Sequence, residues 1–340
     1  MPADEPKRTN MRALRFAARD LPELVDLPVP DIADDEVLIA ARAVGVCHSD
    51  IDLLEGRYII PFAYPIIPGH EWSGEVVRVG EKVTDFAVGD RVVGECVIGT
   101  EHFGFSISGA AAEFFVAKGA WLHHLPDELS WTMGALVEPF SVAYYALTRA
   151  GGLDASDTLV VLGAGPVGLA VTAAAVAMGA RTLVVEPDER RRGLALQLGA
   201  AYAVHPDEVD VLLDELTHGR GADIVVEVSG RPTVMARALE LVAFQGRIAY
   251  IGIDVGGESA AKLGLIQSKE LRITGSIGSP GVWPQTLRFL ARSGIDMTPL
   301  VTQQFVLNDA LSAIEAAHHP GPGDVKAHIR FAATLSVVED

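Results

Sequence analysis

The chain is predicted to be an α/β protein in two parts, a β-rich part of barrel-like character and a doubly wound parallel sheet. Three features carry this. Up to about residue 150 the chain breaks into short apolar strands separated by turns. Beyond it, strands alternate with helical stretches of about 10–15 residues, the pattern of βαβ units. At the first strand-to-helix junction of that region stands a glycine-rich G-x-G-x-x-G.

Within the first part MRALRF, DEVLIAARAVGV, WSGEVVRVG and, after the turn at Gly89-Asp90, RVVGECV read as strands. The second and third alternate only loosely, which favours a strongly curved or barrel-like sheet over a flat one. In the second part TLVVLGAG is an apolar strand ending in glycines, and VGLAVTAAAVAMGA follows with helical composition. TLVVEP, ADIVVEVSG, RIAYIGI and LRITGSI are further strands; DERRRGLALQLGA and PTVMARALELVAFQG are the helices between them. From VWPQTLRFLARSG the tail returns to mixed pieces and ends in AHIRF, a strand expected to pair back onto the first part.

Composition narrows the function. With 49% hydrophobic and 21% charged residues, 340 residues suffice for two globular domains. A formal net charge of −18 argues against nucleic acid, whose phosphates demand concentrated basic charge. No apolar run reaches the ~18 residues of a membrane helix, and the start lacks the apolar segment of a signal peptide. Residues 1–10 are expected to form a disordered lead, with Met11 a candidate alternative start. Two cysteines make no disulfide framework and suit a reducing cytoplasm.

Gly163, Gly165 and Gly168, with Pro166 and Val167 between them, form the nucleotide signal. The first glycine permits a tight turn, the second a close backbone approach to a pyrophosphate, and the third tight helix–strand packing. The helix N-terminus then meets the phosphates with its free N–H groups. Glu186 ends the next strand, 18 residues after Gly168. A carboxylate there accepts from a ribose diol and repels a 2′-phosphate, so NAD is favoured over NADP. Arg190, Arg191 and Arg192 follow; they read as a solvated helix face, with a phosphate clamp as the alternative.

GVCHSD, PGHEWSG and LVEPFSV form a second, dispersed signal. A catalytic zinc takes three protein ligands and leaves a fourth position open. Cys47, His70 and Glu138 meet that need, and Asp50 is placed to hold the far nitrogen of His70. Taken singly, each has another reading: a packed thiol, a surface His-Glu pair, a helix-opening Glu-Pro. No short-range ligand pair anchors them, so the residues alone leave both readings open.

GVCHSD, GHEWSG, GDRV at 89–92, VEP and LGAGPVG, in this order, resemble the zinc-dependent medium-chain dehydrogenases/reductases, and the similarity runs from about Met11 to Phe331. The resemblance implies a GroES-like catalytic domain over 11–150 and 288–340, interrupted by a Rossmann domain over 151–287. It implies Cys47, His70 and Glu138 as ligands of one catalytic zinc, Glu71 as the acid that can transiently coordinate, and Ser49 as the hydroxyl that passes the substrate proton. Glutamate as third ligand resembles the sorbitol- and polyol-dehydrogenase branch. Ser229, Gly230, Ile251, Gly252 and Ser276 are implied on the nicotinamide side. Lys326 and Arg191 are assigned to the cofactor, with a surface lysine as the other reading of Lys326. The four clustered cysteines of a structural zinc lobe are missing: GECVIGTEHFGFSISGAAAEFFV holds Cys96 alone, so no structural zinc is expected.

The reaction this implies is interconversion of a secondary alcohol, in a polyol, sugar, cyclitol or amino sugar, with its ketone, by a homodimer or homotetramer. Tyr58, Phe115, Trp121 and Trp283 are aromatic candidates for the substrate pocket, and His48 and Arg57 polar ones. Two rivals have other chemistry. One is a zinc-free NADPH reductase of quinones or enones, the other a non-catalytic binding protein of the same fold.

Overall fold

Met11, Ala13, Leu14 and Phe16 are buried, and that commitment orders the chain earlier than a lead ending at residue 10 would allow. The Thr9 carbonyl already accepts from Val29 N–H (3.0 Å), and Asn10 opens strand β1 (Asn10–Ala18). The computed structural model describes residues 9–332; the rest of the expected lead lies outside the described residues.

In the first part β1 forms an antiparallel hairpin with β2 (Leu21–Pro28), and β3 (Glu36–Val46) leads into the short helix α1 (His48–Leu54). Strands β4 (Glu71–Val79), β5 (Arg91–Gly94), β6 (Val97–Ile98), β7 (Glu101–His102), β8 (Phe114–Lys118) and β9 (Leu122–His124) follow. Helices α2 (Trp131–Ala135) and α3 (Val137–Arg149) come next. The second part runs β10 (Thr158–Leu162), α4 (Pro166–Ala177), β11 (Arg181–Val185), α5 (Glu189–Gln197), β12 (Tyr202–Val204) and α6 (Val209–Thr217). It continues with β13 (Ala222–Glu227), α7 (Pro232–Leu241), β14 (Val242–Tyr250), α8 (Gly264–Ser268), β15 (Arg272–Gly275) and α9 (Trp283–Ser293). The tail supplies β16 (Val301–Val306), α10 (Ala310–His318) and β17 (Lys326–Arg330).

Two compact units result. One runs to Glu138 and takes up the chain again at Val301–Pro320 and from Lys326 on; the other comprises Pro139–Leu300 and Gly321–Val325. The boundaries therefore fall at 138/139 and 300/301 instead of near 150 and 288. Packing explains the shift. Phe289 of α9 lies 6.0 Å from Phe140 and 5.5 Å from Tyr144 of α3, so both helices share one core.

The first unit is built on a seven-stranded sheet of order β16-β17-β3-β4-β5-β9, with β8 also paired to β3. Because β3 has neighbours on both edges and is covered on both faces, all but its first residue are buried. That accounts for the loose alternation of EVLIAARAVGV, since a doubly covered strand has no polar face. The AHIRF stretch pairs antiparallel with β3, setting Ala327 opposite Val46 and His328 opposite Gly45.

The second unit holds six strands, all parallel, in the order β12-β11-β10-β13-β14-β15. Strand order reverses direction between β10 and β13, where such sheets open a crevice at their carboxyl ends. One helix is shorter than its composition predicts: AFQG belongs to β14, not α7. Lys269 ends the helix early, its Nζ donating to the carbonyls of Leu239, Glu240 and Val242 (2.6–3.0 Å).

His328 is buried in mid-strand, with no hydrogen-bond partner for either ring nitrogen. Burial, then the Lys326 and Arg330 charges, push its pKa down from 6.5 to about 3. Unfolded, the ring takes a proton near pH 6.5; folded, it does not until about 3, so the unfolded state binds more protons between these values. Its contribution is complete above pH 6.5 and is lost as pH falls through that window. In urea denaturation between pH 7 and 4, His328→Leu is expected to shallow the acid decline in stability by about 1.4 kcal/mol per pH unit. An unchanged slope would show that His328 titrates normally.

Candidate active site

Cys47 follows β3 in extended conformation (φ −102°, ψ 158°) and serves as the N-cap of α1. Asp50, three residues on, accepts the Cys47 N–H (2.8 Å) with one oxygen and the Gly69 N–H (3.4 Å) with the other. The latter oxygen is also 3.4 Å from His70 Nδ1. One buried carboxylate thus fixes the cysteine backbone and the turn ahead of the histidine, and lies as an ion-pair partner against the histidine ring. The other ring nitrogen, Nε2, lies 3.4 Å from Ser49 Oγ. The turn itself requires glycine: Gly69 has φ +96°, and a Cβ there would stand 2.9 Å from Val44 and 3.0 Å from Ala111 N.

The ligand atoms of Cys47, His70 and Glu71 all lie within 4.8 Å of one another. Glu71 opens β4 directly opposite Gly45. A Cβ on residue 45 would sit 2.2 Å from Glu71 Oε2, so only glycine leaves the carboxylate its place. Glu71 Oε1 accepts from Lys326 Nζ (2.7 Å), which also donates to the Val46 carbonyl (3.2 Å); Oε2 is buried without a hydrogen-bond partner. Lys326 is therefore not a surface lysine, and its ammonium is committed to Glu71. The sequence gives no sign of this pair, because its members are 255 positions apart.

Glu138, the second residue of α3, is buried. It is not among the three side chains within 4.8 Å of each other, where Glu71 stands instead. Burial pushes its carboxyl upward, the charge on His70 pulls it back, and the Glu71 carboxylate raises it again. Burial works against the charge on His70, but Asp50 outweighs it and holds that ring well above its ordinary range. In Lys326, likewise, Glu71 overrides burial and raises the ammonium.

Of the aromatic candidates, Tyr58 reaches this cluster. It stacks on Phe105 (4.2 Å, 14°), whose ring lies 4.8 Å from His70. Phe115 packs edge-on against Trp72, Trp121 lies under Lys118, and Trp283 donates to Ser279 Oγ; all three are buried. His48 and Arg57 face outward, Arg57 paired with Asp52 and Glu55. Cys96 is buried with Sγ 3.7 Å from the Phe103 carbonyl, and burial pushes its thiol up to about 12.

In the second unit the glycines do distinct work. Gly163 has φ +111°; a Cβ on Gly165 would meet nothing within 4 Å; a Cβ on Gly168 would stand 2.1 Å from the Gly163 carbonyl oxygen. The open space above Gly165, at the N-terminus of α4 with Pro166 and Val167 in its first turn, fits a pyrophosphate. Glu186 accepts from Ala164 N–H (2.8 Å) and Asp188 N–H (2.9 Å), one bond to each oxygen. The arginines are engaged elsewhere: Arg190 donates to the Pro322 carbonyl, Arg191 to that of Asp324, and Arg192 to those of Glu186 and Pro187.

At the carboxyl end of β13, Glu227 gathers Ser229 N–H (2.7 Å), Ser229 Oγ and Gly230 N–H (3.1 Å) on one oxygen. Its carbonyl accepts from the N–H groups of Ile251 and Gly252. Ser276, at the end of β15, is buried with its hydroxyl unpartnered. Sequence reasoning missed Glu227, although a lone carboxylate inside the apolar IVVEVS run was the available signal.

A thiol, an imidazole and a carboxylate whose Oε2 is buried without a hydrogen-bond partner suit zinc, which binds S, N and O donors alike. Comparison with known proteins agrees. Residues 33–127 match the alcohol dehydrogenase GroES-like domain and 166–292 the zinc-binding dehydrogenase family. A sorbitol dehydrogenase of Bacillus subtilis is 34% identical over 316 residues, 86% of this chain and 89% of the relative. A D-arabitol-phosphate dehydrogenase of Enterococcus avium is 31% identical over 86% and 89%. The crystal structure of 2R,3R-butanediol dehydrogenase from Bacillus subtilis superposes with a TM-score of 0.86 at 31% identity, covering 95% of this chain and all of that one.

Lys326 and Glu71 are each almost wholly buried, so neither charge has water to fall back on. Lys326→Met is expected to destabilise the protein by about 3–5 kcal/mol, whereas adding Glu71→Gln recovers most of that loss. Denaturant titration of the two variants checks this; a double variant no more stable than the single one would mean that the pair is not coupled. The chain belongs to the zinc-binding medium-chain dehydrogenase family.

Proposed function

We propose that the protein is an NAD-linked, zinc-dependent dehydrogenase that interconverts a secondary alcohol of a polyhydroxylated substrate with its ketone. The observation that carries this is the convergence of half-buried Cys47 with buried His70 and Glu71, Asp50 serving the first two and Lys326 the third. Sorbitol, arabitol phosphate and butanediol in the names of the relatives share adjacent hydroxyls, which favours a polyol, sugar, cyclitol or amino sugar here.

Cys47, His70 and Glu138 would hold the zinc, with Glu71 as the alternate carboxylate that Lys326 draws back. Bound there, zinc supplies a Lewis acid that lowers the pKa of the substrate hydroxyl. Ser49 Oγ, beside His70 Nε2, receives the hydroxyl proton and hands it outward. Bound in the crevice of the second unit, NAD would supply the hydride acceptor for the carbinol C–H, the alcohol becoming the ketone as Ser49 takes the hydroxyl proton. Phe105 and Tyr58 cover the histidine side of the cluster and exclude water. Ser229, Gly230, Ile251, Gly252 and Ser276 line the nicotinamide end of the crevice.

Glu186 sets cofactor choice. Its two oxygens keep lone pairs free for a ribose diol, and its charge opposes a 2′-phosphate. Arg190, Arg191 and Arg192, spent on backbone carbonyls, form no clamp for that phosphate. Two free cysteines fit a reducing cytoplasm, and among the described residues no helix is long and apolar enough to cross a membrane. The assembly is a homodimer or homotetramer.

Coenzyme reduction across polyols, sugars and amino sugars, with and without a chelator, tests the proposal. Turnover with NAD that a chelator abolishes and zinc restores is the expected result. Glu138→Gln should lower kcat by at least about 100-fold while Glu71→Gln leaves zinc bound. Glu186→Ala should reduce the preference for NAD over NADP about tenfold, ~1.4 kcal/mol. Chelator-insensitive turnover with NADPH and quinones would overturn the reading.

A further inference from the structure

The described residues contain a second cluster of metal-ligating side chains, and nothing in the catalytic reading uses it. We propose that Glu315, His318 and His319 form a separate surface site for a divalent transition ion such as Zn²⁺, Ni²⁺ or Cu²⁺. Their ligand atoms lie within 4.8 Å of one another. Adjacent residues of a continuous helix point about 100° apart and cannot share a ligand. Here α10 ends at His318, and His319 is its C-cap with φ −123° and ψ 67°, so the chain leaves its helical course. The two imidazoles consequently stack, centroids 4.2 Å apart and planes within 17°. Glu315 lies one turn back on the same face, with its Oε1 3.7 Å from His319 Nε2.

A fourth residue prepares the site. Glu55, the C-cap of α1, lies 3.0 Å from His318 Nε2. A carboxylate only accepts, so in the neutral ring this contact puts the proton on Nε2 and leaves Nδ1 as the nitrogen for a metal. A carboxylate beside an imidazole is the usual support of a metal-binding histidine, and Asp50 lies likewise near His70 Nδ1 (3.4 Å). The negative end of the α10 dipole adds to the attraction for a cation. Glu315 and His319 are largely exposed, which leaves the remaining positions to water. Two imidazoles and one carboxylate select Zn²⁺, Ni²⁺ or Cu²⁺ over Ca²⁺ and Mg²⁺.

Zinc content after equilibrium dialysis at pH 7.5 tests this on the purified wild type, a His318→Ala/His319→Ala variant and Cys47→Ser. The wild type should hold one more equivalent than the double histidine variant, which keeps its coenzyme-linked turnover. Cys47→Ser should retain the surface ion. Glu315→Gln, a milder change, should weaken the extra equivalent about tenfold. Equal zinc in wild type and double variant at free zinc up to about 100 μM would overturn the proposal. Failure of the catalytic reading shows differently, as Cys47→Ser losing no zinc at all.

Discussion

The register of one strand governs the chemistry of the first unit. Gly45 of β3 faces Glu71 across β4 and His328 across β17. Two residues further on, the same strand delivers Cys47 to the cap of α1. Slipping either pairing by one residue would turn Glu71 or Lys326 to the opposite face of the sheet, since side chains alternate with period two. Glycine at position 45 is what lets this register hold a carboxylate, because any side chain there would occupy its place.

The second consequence is electrostatic. Asp50, Glu71 and Glu138 bring three carboxyl groups into a buried volume that also holds His70 and Lys326. With all five charged, one negative charge is left over, before the Cys47 thiol is counted. Buried charge of one sign is costly; burial above all raises the Glu138 carboxyl, and the Glu71 and Asp50 carboxylates add to it. A divalent cation reverses this balance, converting mutual repulsion of the acids into shared attraction. Under the proposed function, metal content would bear on stability as well as on turnover.

Much of this was legible in the sequence where the signal is local. The glycine spacing, the strand before it and the acid ending the next strand specify the tight β10–α4 turn and the hydrogen bonds of Glu186 to Ala164 and Asp188, because each acts close to its neighbours. AHIRF was readable as a returning strand from its composition. What escaped depends on contacts across the fold. Lys326 looks like an ordinary basic residue until β17 lies beside β3 and brings it to Glu71. The arginines after Glu186 read as solvated, yet two of them reach the 321–325 turn, which the chain supplies some 130 positions later. The end of α7 was misread because a lysine on a later segment, not a local breaker, caps its carbonyls.

The most direct measurement is X-ray absorption at the zinc edge on the purified enzyme and on its His318→Ala/His319→Ala variant. In the variant the account predicts one sulfur at about 2.3 Å and nitrogen or oxygen ligands at about 2.0–2.2 Å, the shell that Cys47, His70 and a glutamate would make. A shell without sulfur, or a variant containing no zinc, would contradict it.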